Sequence, residues 1–135
     1  EGRELVVFDK AGDRSTILVI EDEEPLLKMN IRILEKLGYR VLAAMTGEEA
    51  VTLTRTFGGQ IDLALLDMKL PDISGDKVYP LIMEARPRLK VIVCSGYSID
   101  GPAQELLDAG AQAFIQKPFL ISTLAERLKE VLEEK

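Results

Sequence analysis

The chain has 135 residues, 23 acidic and 17 basic side chains, a net charge of −6, one cysteine and no histidine or tryptophan. That length suits one domain, and hydrophobic residues at 47% can fill a single core. Without histidine the chain cannot carry Ser-His-Asp or Cys-His catalysis, His-ligated zinc or a phosphohistidine of its own, and one cysteine makes neither an internal disulfide nor a CxxC pair.

The exclusions continue with partners. No apolar run approaches the roughly 20 residues that cross a bilayer, so no membrane insertion is expected of this domain. The opening residues lack the basic, apolar and small-residue pattern of a signal peptide. The acidic balance argues against direct nucleic-acid binding, because phosphate contacts need Lys and Arg. A reducing, cytoplasmic setting is the expectation. The chemistry left over must use carboxylates, hydroxyls, lysine and a hard metal ion.

Residues 1–15 read as a linker or tail, and residues 16–135 as the domain. Within the tail, residues 5–8 suit a short strand and residues 10–15 a polar turn. The chain opens on Glu1, which suggests a piece of something longer. From Thr16 onward two textures alternate. Apolar runs at 17–20, 41–44, 61–66, 89–94 and 113–115 suit strands covered on both faces of a parallel sheet. Between them lie helical stripes: Leu27, Ile31 and Leu34, then Val78, Leu81, Ile82 and Ala85, and finally Leu124, Leu128, Val131 and Leu132.

The punctuation agrees. Pro25 suits the first turn of the first helix and Gly38 its stop. Thr46 with Glu49 predicts a capping box opening the second helix. Pro80 falls inside the third stripe and predicts a kink or a late helix start. Pro102 suits the start of the fourth helix and Gly110 its end. The sum is an α/β, flavodoxin-like, doubly wound (βα)5 fold with a five-stranded parallel sheet in the order 2-1-3-4-5.

In that order the ends of strands one and three meet at a crevice. Glu21 and Asp22 follow the first run, Asp67 the third, Ser95 the fourth and Lys117 the fifth. Two carboxylates about 5 Å apart repel by roughly 3 kcal/mol at an effective dielectric near 20. Such a cluster calls for a proton or a cation, and Mg²⁺ suits carboxylates, a carbonyl and an oxyanion. A carboxylate nucleophile, a divalent cation, a hydroxyl and an ammonium make a phosphoryl-transfer site. Each residue alone is more simply a cap, turn or surface loop. All of them together at the four correct strand ends are hard to ascribe to chance.

Four segments carry a family resemblance: ILVIEDEEP from Ile17, LLDMKLPDISG from Leu65, VCSGY from Val93 and GAQAFIQKPF from Gly110. They resemble the receiver domain of two-component response regulators over residues 16–134. The resemblance implies that Asp67 is the phosphoacceptor. It implies Mg²⁺ held by Asp22 directly, by Glu21 through water, by Asp67 and by the Lys69 backbone carbonyl. Ser95 and Phe114 match the switch positions, and Lys117 matches the lysine that pairs with the phosphate before a cis Pro118. Glu21 stands where Asp is commoner, and Phe114 lacks a tyrosine hydroxyl.

The implied partner is a histidine kinase or a histidine phosphotransfer domain. The face of the fourth helix, fifth strand and fifth helix would carry the output or a homodimer. The implied activity is acceptance and slow release of a phosphoryl group, not turnover as an enzyme. The wording of the third and fourth segments is similar to receivers of hybrid sensor kinases. Two other readings stand beside this one. A phosphorylation-independent interaction module would use the same fold. A small Asp-nucleophile hydrolase of the haloacid dehalogenase kind needs a second Asp two residues after the nucleophile, and Lys69 stands there.

Overall fold

A computed structural model describes residues 14–97 and 101–134. The short strand expected at residues 5–8 therefore lies outside the described residues. The elements alternate as β1 (Thr16–Ile20), α1 (Glu24–Lys36), β2 (Arg40–Ala44), α2 (Gly47–Thr56), β3 (Leu63–Asp67), α3 (Gly75–Ala85), β4 (Lys90–Ser95), α4 (Gly101–Ala109), β5 (Ala113–Gln116) and α5 (Ile121–Glu133). All strand pairs are parallel, in the order β2-β1-β3-β4-β5. This is the flavodoxin-like fold the apolar runs predict.

Strand alternation divides the core in two. Leu18, Ile20, Ala64, Leu66, Val91 and Val93 face α2, α3 and α4. Ile17, Val19, Leu63, Leu65, Ile92 and Cys94 face α1 and α5. Every residue of β1 and β3 is buried, as continuous apolar runs require. The edge strands β2 and β5 are only partly covered, because each lacks a neighbour on one side. Leu34, Ile82 and Leu128 are wholly buried where their stripes predict. Each such side chain contributes roughly 1.5–3 kcal/mol of hydrophobic stabilisation.

The third apolar run begins as strand two residues late, because Asp62 has another task. Its carboxylate accepts a hydrogen bond from the Thr16 N–H at 2.7 Å and so ties the entry of β1. The capping box also differs from expectation. Thr46 Oγ1 accepts from the Glu49 N–H at 3.0 Å, but Glu49 Oε1 accepts from Met45 N–H at 2.7 Å rather than from Thr46. Gly38 (φ 98°) stops α1 as predicted. The Tyr39 N–H reaches back to the Leu34 carbonyl and the Gly38 N–H to that of Glu35, both at 3.0 Å.

Pro80 lies well inside α3, so the helix does not start late. The proline cannot donate to the Asp76 carbonyl. It sits on the exposed side of the helix, where water can take up that acceptor.

Long-range caps finish both ends of α2. The Asp72 carboxylate accepts from the Gly47 and Glu48 N–H groups at 2.8 and 2.9 Å, capping α2 from the β3–α3 loop. These bonds hold the Asp72 carboxyl below its ordinary pKa. At the other end of α2, the Arg86 guanidinium donates to the Thr54, Phe57 and Gly59 carbonyls.

Gly75 begins α3 where it passes against the end of β3. Its N–H bonds the Met68 carbonyl at 2.9 Å. A Cβ there would lie 2.6 Å from the Asp67 carbonyl oxygen and 2.8 Å from Met68 Cα, both backbone atoms that cannot swing aside. Gly75→Ala is expected to destabilise the domain by about 1–3 kcal/mol through this overpacking. Urea unfolding followed by circular dichroism measures it, and an unchanged midpoint would count against the close approach.

Candidate functional site

The site lies where β1, β3, β4 and β5 end. Each strand leaves the sheet with a polar residue just past its last apolar one. Alternation sends Glu21 and Asp67 to the α1 and α5 side, in line with Val19 and Leu65. Ser95 and Phe114 follow the opposite set, Phe114 packing with the α2–α4 core.

Lys117 reaches across to both acids. Its Nζ lies 3.1 Å from Asp67 Oδ2 and 3.2 Å from Glu21 Oε1. The remaining carboxylate oxygens take backbone donors. Glu23 N–H bonds Glu21 Oε2 at 3.2 Å, and Lys69 N–H bonds Asp67 Oδ1 at 3.3 Å. The triad is largely withdrawn from water, with Glu21 and Asp67 each 4% exposed.

Burial raises the Glu21 pKa, and the Asp67 charge raises it further. The Glu23 N–H and Lys117 oppose this without cancelling it. Burial alone would lower the Lys117 pKa. The attraction and hydrogen bonds of Asp67 and Glu21 outweigh it, so the ammonium is held above its ordinary value.

The predicted residues share one cleft of about 650 Å³. Glu21, Asp22, Asp67, Lys69, Ser95 and Lys117 all line it, and Phe114 does not. The carboxylate oxygens of Glu21, Asp22 and Asp67 come within 4.8 Å of one another. Three clustered oxygen donors fit a hard divalent cation such as Mg²⁺ better than a soft or nitrogen-loving metal. Ser95 is buried, and its Oγ accepts from the Tyr97 N–H at 3.1 Å, which leaves its own O–H to donate. The Lys117–Pro118 peptide is cis, as the resemblance implies.

Three features of the cleft escaped the sequence reading. Tyr97 stands at the mouth, where Lys69 Nζ donates to its hydroxyl at 3.0 Å. That bond raises the Lys69 pKa and lowers that of Tyr97. Leu26, Met29 and Phe119 give the cleft an apolar wall beside α1. Asn30, a polar residue beside the Leu27–Ile31–Leu34 stripe, is buried and also lines the cleft. A polar residue three positions after Leu27 was the available signal for it.

The single cysteine has no part in this. Burial and the nearby carboxylates push the Cys94 thiol up to about 12, so it packs as a neutral group. Among the described residues no helix is long and apolar enough to cross a membrane.

The sequence matches the response regulator receiver domain over residues 17–129. The chain belongs to that family. It is 33% identical over 129 residues to the sensor kinase CckA of Brucella abortus (strain 2308), covering 93% of this chain but only 14% of that protein. It is 33% identical over 116 residues to the chemotaxis protein CheY of Thermotoga maritima, covering 85% of this chain and 95% of that one.

Among solved structures, a CheY-like receiver domain from Methanospirillum hungatei JF-1 superposes with a TM-score of 0.83 at 34% identity, over 90% of this chain and 95% of its own. CheY of Borrelia burgdorferi, solved in a CheX-CheY-BeF3-Mg+2 complex, gives 0.83 at 26% identity, over 89% and 90%. Receiver domains are signalling modules rather than turnover enzymes. They interact with histidine kinases or phosphotransfer partners and bind Mg²⁺ at an acidic site.

The raised Glu21 pKa has a consequence for stability. The folded state holds the Glu21 proton more tightly than the unfolded chain does. Folding therefore loses free energy as pH rises from below 4.5, the ordinary value, through the raised one. Without divalent cations, Glu21→Gln should melt at a higher temperature than wild type at pH 7, and the gap should close below pH 4.5. Melting curves at both pH values check this, and a lower melting temperature at pH 7 would refute it.

Proposed function

We propose that the chain is a phosphoacceptor receiver that takes a phosphoryl group from a phosphohistidine onto Asp67. The observation that carries this reading is the Asp67 carboxylate on the floor of an open cleft, 3.1 Å from the Lys117 ammonium. An Asp67 oxygen attacks the phosphorus as the P–N bond to the donor imidazole breaks, and the electron pair returns to the ring. The imidazole must come from a histidine kinase or phosphotransfer partner, because this chain has no histidine.

Glu21, Asp22, Asp67 and the Lys69 backbone carbonyl would hold Mg²⁺, which when bound neutralises phosphoryl oxygens. Lys117 contributes a second, fixed positive charge. The Ser95 hydroxyl donates to a phosphoryl oxygen. As Ser95 shifts toward the phosphoryl group, Phe114, on the same side of the sheet, rotates into the space it leaves and alters the surface of α4, β5 and α5, where a partner or a second copy docks. Water later hydrolyses the acyl phosphate.

The apolar wall by α1 suits the incoming donor. Met29 is 48% exposed beside the cleft, and Leu120 and Ile121, just after Phe119, are 70% and 58% exposed. Residues 16–135 would form the receiver and residues 1–15 a tail or linker. The match to a small part of CckA fits a receiver within a hybrid kinase.

Acetyl phosphate with Mg²⁺ should label the wild-type protein and leave Asp67→Asn unlabelled. Equal labelling of Asp67→Asn would remove Asp67 from this role. No Mg²⁺-dependent labelling of wild type would favour the phosphorylation-independent module. Lys117→Ala should lower the labelling rate by about 10²-fold, the scale for removing one stabilising donor. Mg²⁺ at about 100 times its dissociation constant should stabilise the wild type by about 2.7 kcal/mol. Asp22→Ala should reduce that gain, as denaturation with and without Mg²⁺ would show.

A further inference from the structure

Asn30 is only 7% exposed, on the face of α1 that packs on the sheet. A primary amide offers two donors and an acceptor with two lone pairs, and buried amides are normally bonded. Among the described residues, no hydrogen bond links the Asn30 side chain to another protein group, and its amide is not fully sealed from water, since the residue also lines the open cleft. Asn30 also lines a small cavity of about 10 Å³, together with Glu21, Asp67, Cys94, Lys117 and Phe119. The volume is about that of one water molecule's centre space, and a bound water needs two to four polar partners.

The partners are in place. Lys117 uses two of its three donors on Glu21 and Asp67. Each oxygen of those carboxylates that carries a bond can accept another. Cys94 is a neutral thiol and a weak partner. Val19 and Leu65 close the cavity on the sheet side, two residues before Glu21 and Asp67 on the same face of their strands.

We propose that Asn30 is a positioning residue: its amide anchors one water in this cavity, and that water ties α1 to the Glu21–Lys117–Asp67 triad. The inference rests on the phosphoacceptor reading of Asp67 for its functional half only. The water approaches the carboxylates from the sheet side, away from the cleft mouth. It therefore orients Asp67 and Lys117 and does not attack the phosphorus.

Two variants test it. Asn30→Leu keeps the branched shape and removes every polar atom. Asn30→Ser leaves room for the water and restores a hydroxyl. Oxygen-17 magnetic relaxation dispersion on the Mg²⁺-free protein counts long-lived waters. The expected result is one fewer for Asn30→Leu and the wild-type number for Asn30→Ser. Labelling by acetyl phosphate should fall about tenfold in Asn30→Leu, the scale for losing an outer support of a polar site, and recover in Asn30→Ser.

An unchanged water count in Asn30→Leu overturns the site. Loss of the water with an unchanged labelling rate overturns the positioning role. Failure of wild type itself to label overturns the phosphoacceptor reading, while the water count still decides whether Asn30 holds the water.

Discussion

The Lys117 ammonium between Glu21 and Asp67 is the contact on which the rest of the site depends. It joins the ends of β1, β3 and β5, which are 96 and 50 residues apart in the chain. Buried charges are expensive to withdraw from water, and an ion pair offsets that cost only with good geometry and further hydrogen bonds. Here the Glu23 and Lys69 N–H groups supply those bonds. Even so, Glu21 keeps a raised pKa, so compensation is incomplete. A surplus of negative charge persists among Glu21, Asp22 and Asp67, where a divalent cation would offset it.

The sheet order makes this contact available. With strands arranged 2-1-3-4-5, β1 and β3 are adjacent and β5 lies two strands beyond β3. A lysine side chain is long enough to return from β5 to the acids. The close pass of Gly75 on the Asp67 carbonyl fixes the backbone from the other side. The Asp72 cap on α2 comes from the same β3–α3 loop, so the loop that follows Asp67 is anchored at several points. Rigid backbone around a carboxylate is what phosphoryl transfer by positioning and electrostatics requires.

Much of this was legible in the sequence because it depends on local rules. Continuous apolar runs marked the central strands, and Gly38 marked a helix end through its need for positive φ. Glu21, Asp67 and Lys117 could be read because each stands at the carboxyl end of a strand that the fold aligns. The misreadings share a cause. Glu49 bonds Met45 rather than Thr46, and Asp62 serves Thr16 rather than continuing a strand. Pro80 was tolerated because its side of α3 faces water. Each of these depends on which groups approach in space, and spacing along the chain does not say.

By itself, then, the sequence determined the sheet, its two covered faces and the polar residues at its carboxyl edge, because strand period and helix period are properties of neighbouring residues. Only the tertiary structure decided that Lys117 bridges two acids, that Lys69 meets Tyr97 and that Asn30 lines a cavity shared with the carboxylates. Those contacts form between segments far apart in the chain. Their energies depend on distances of about 3 Å and on exclusion of water, and both exist only once the helices have closed over the sheet.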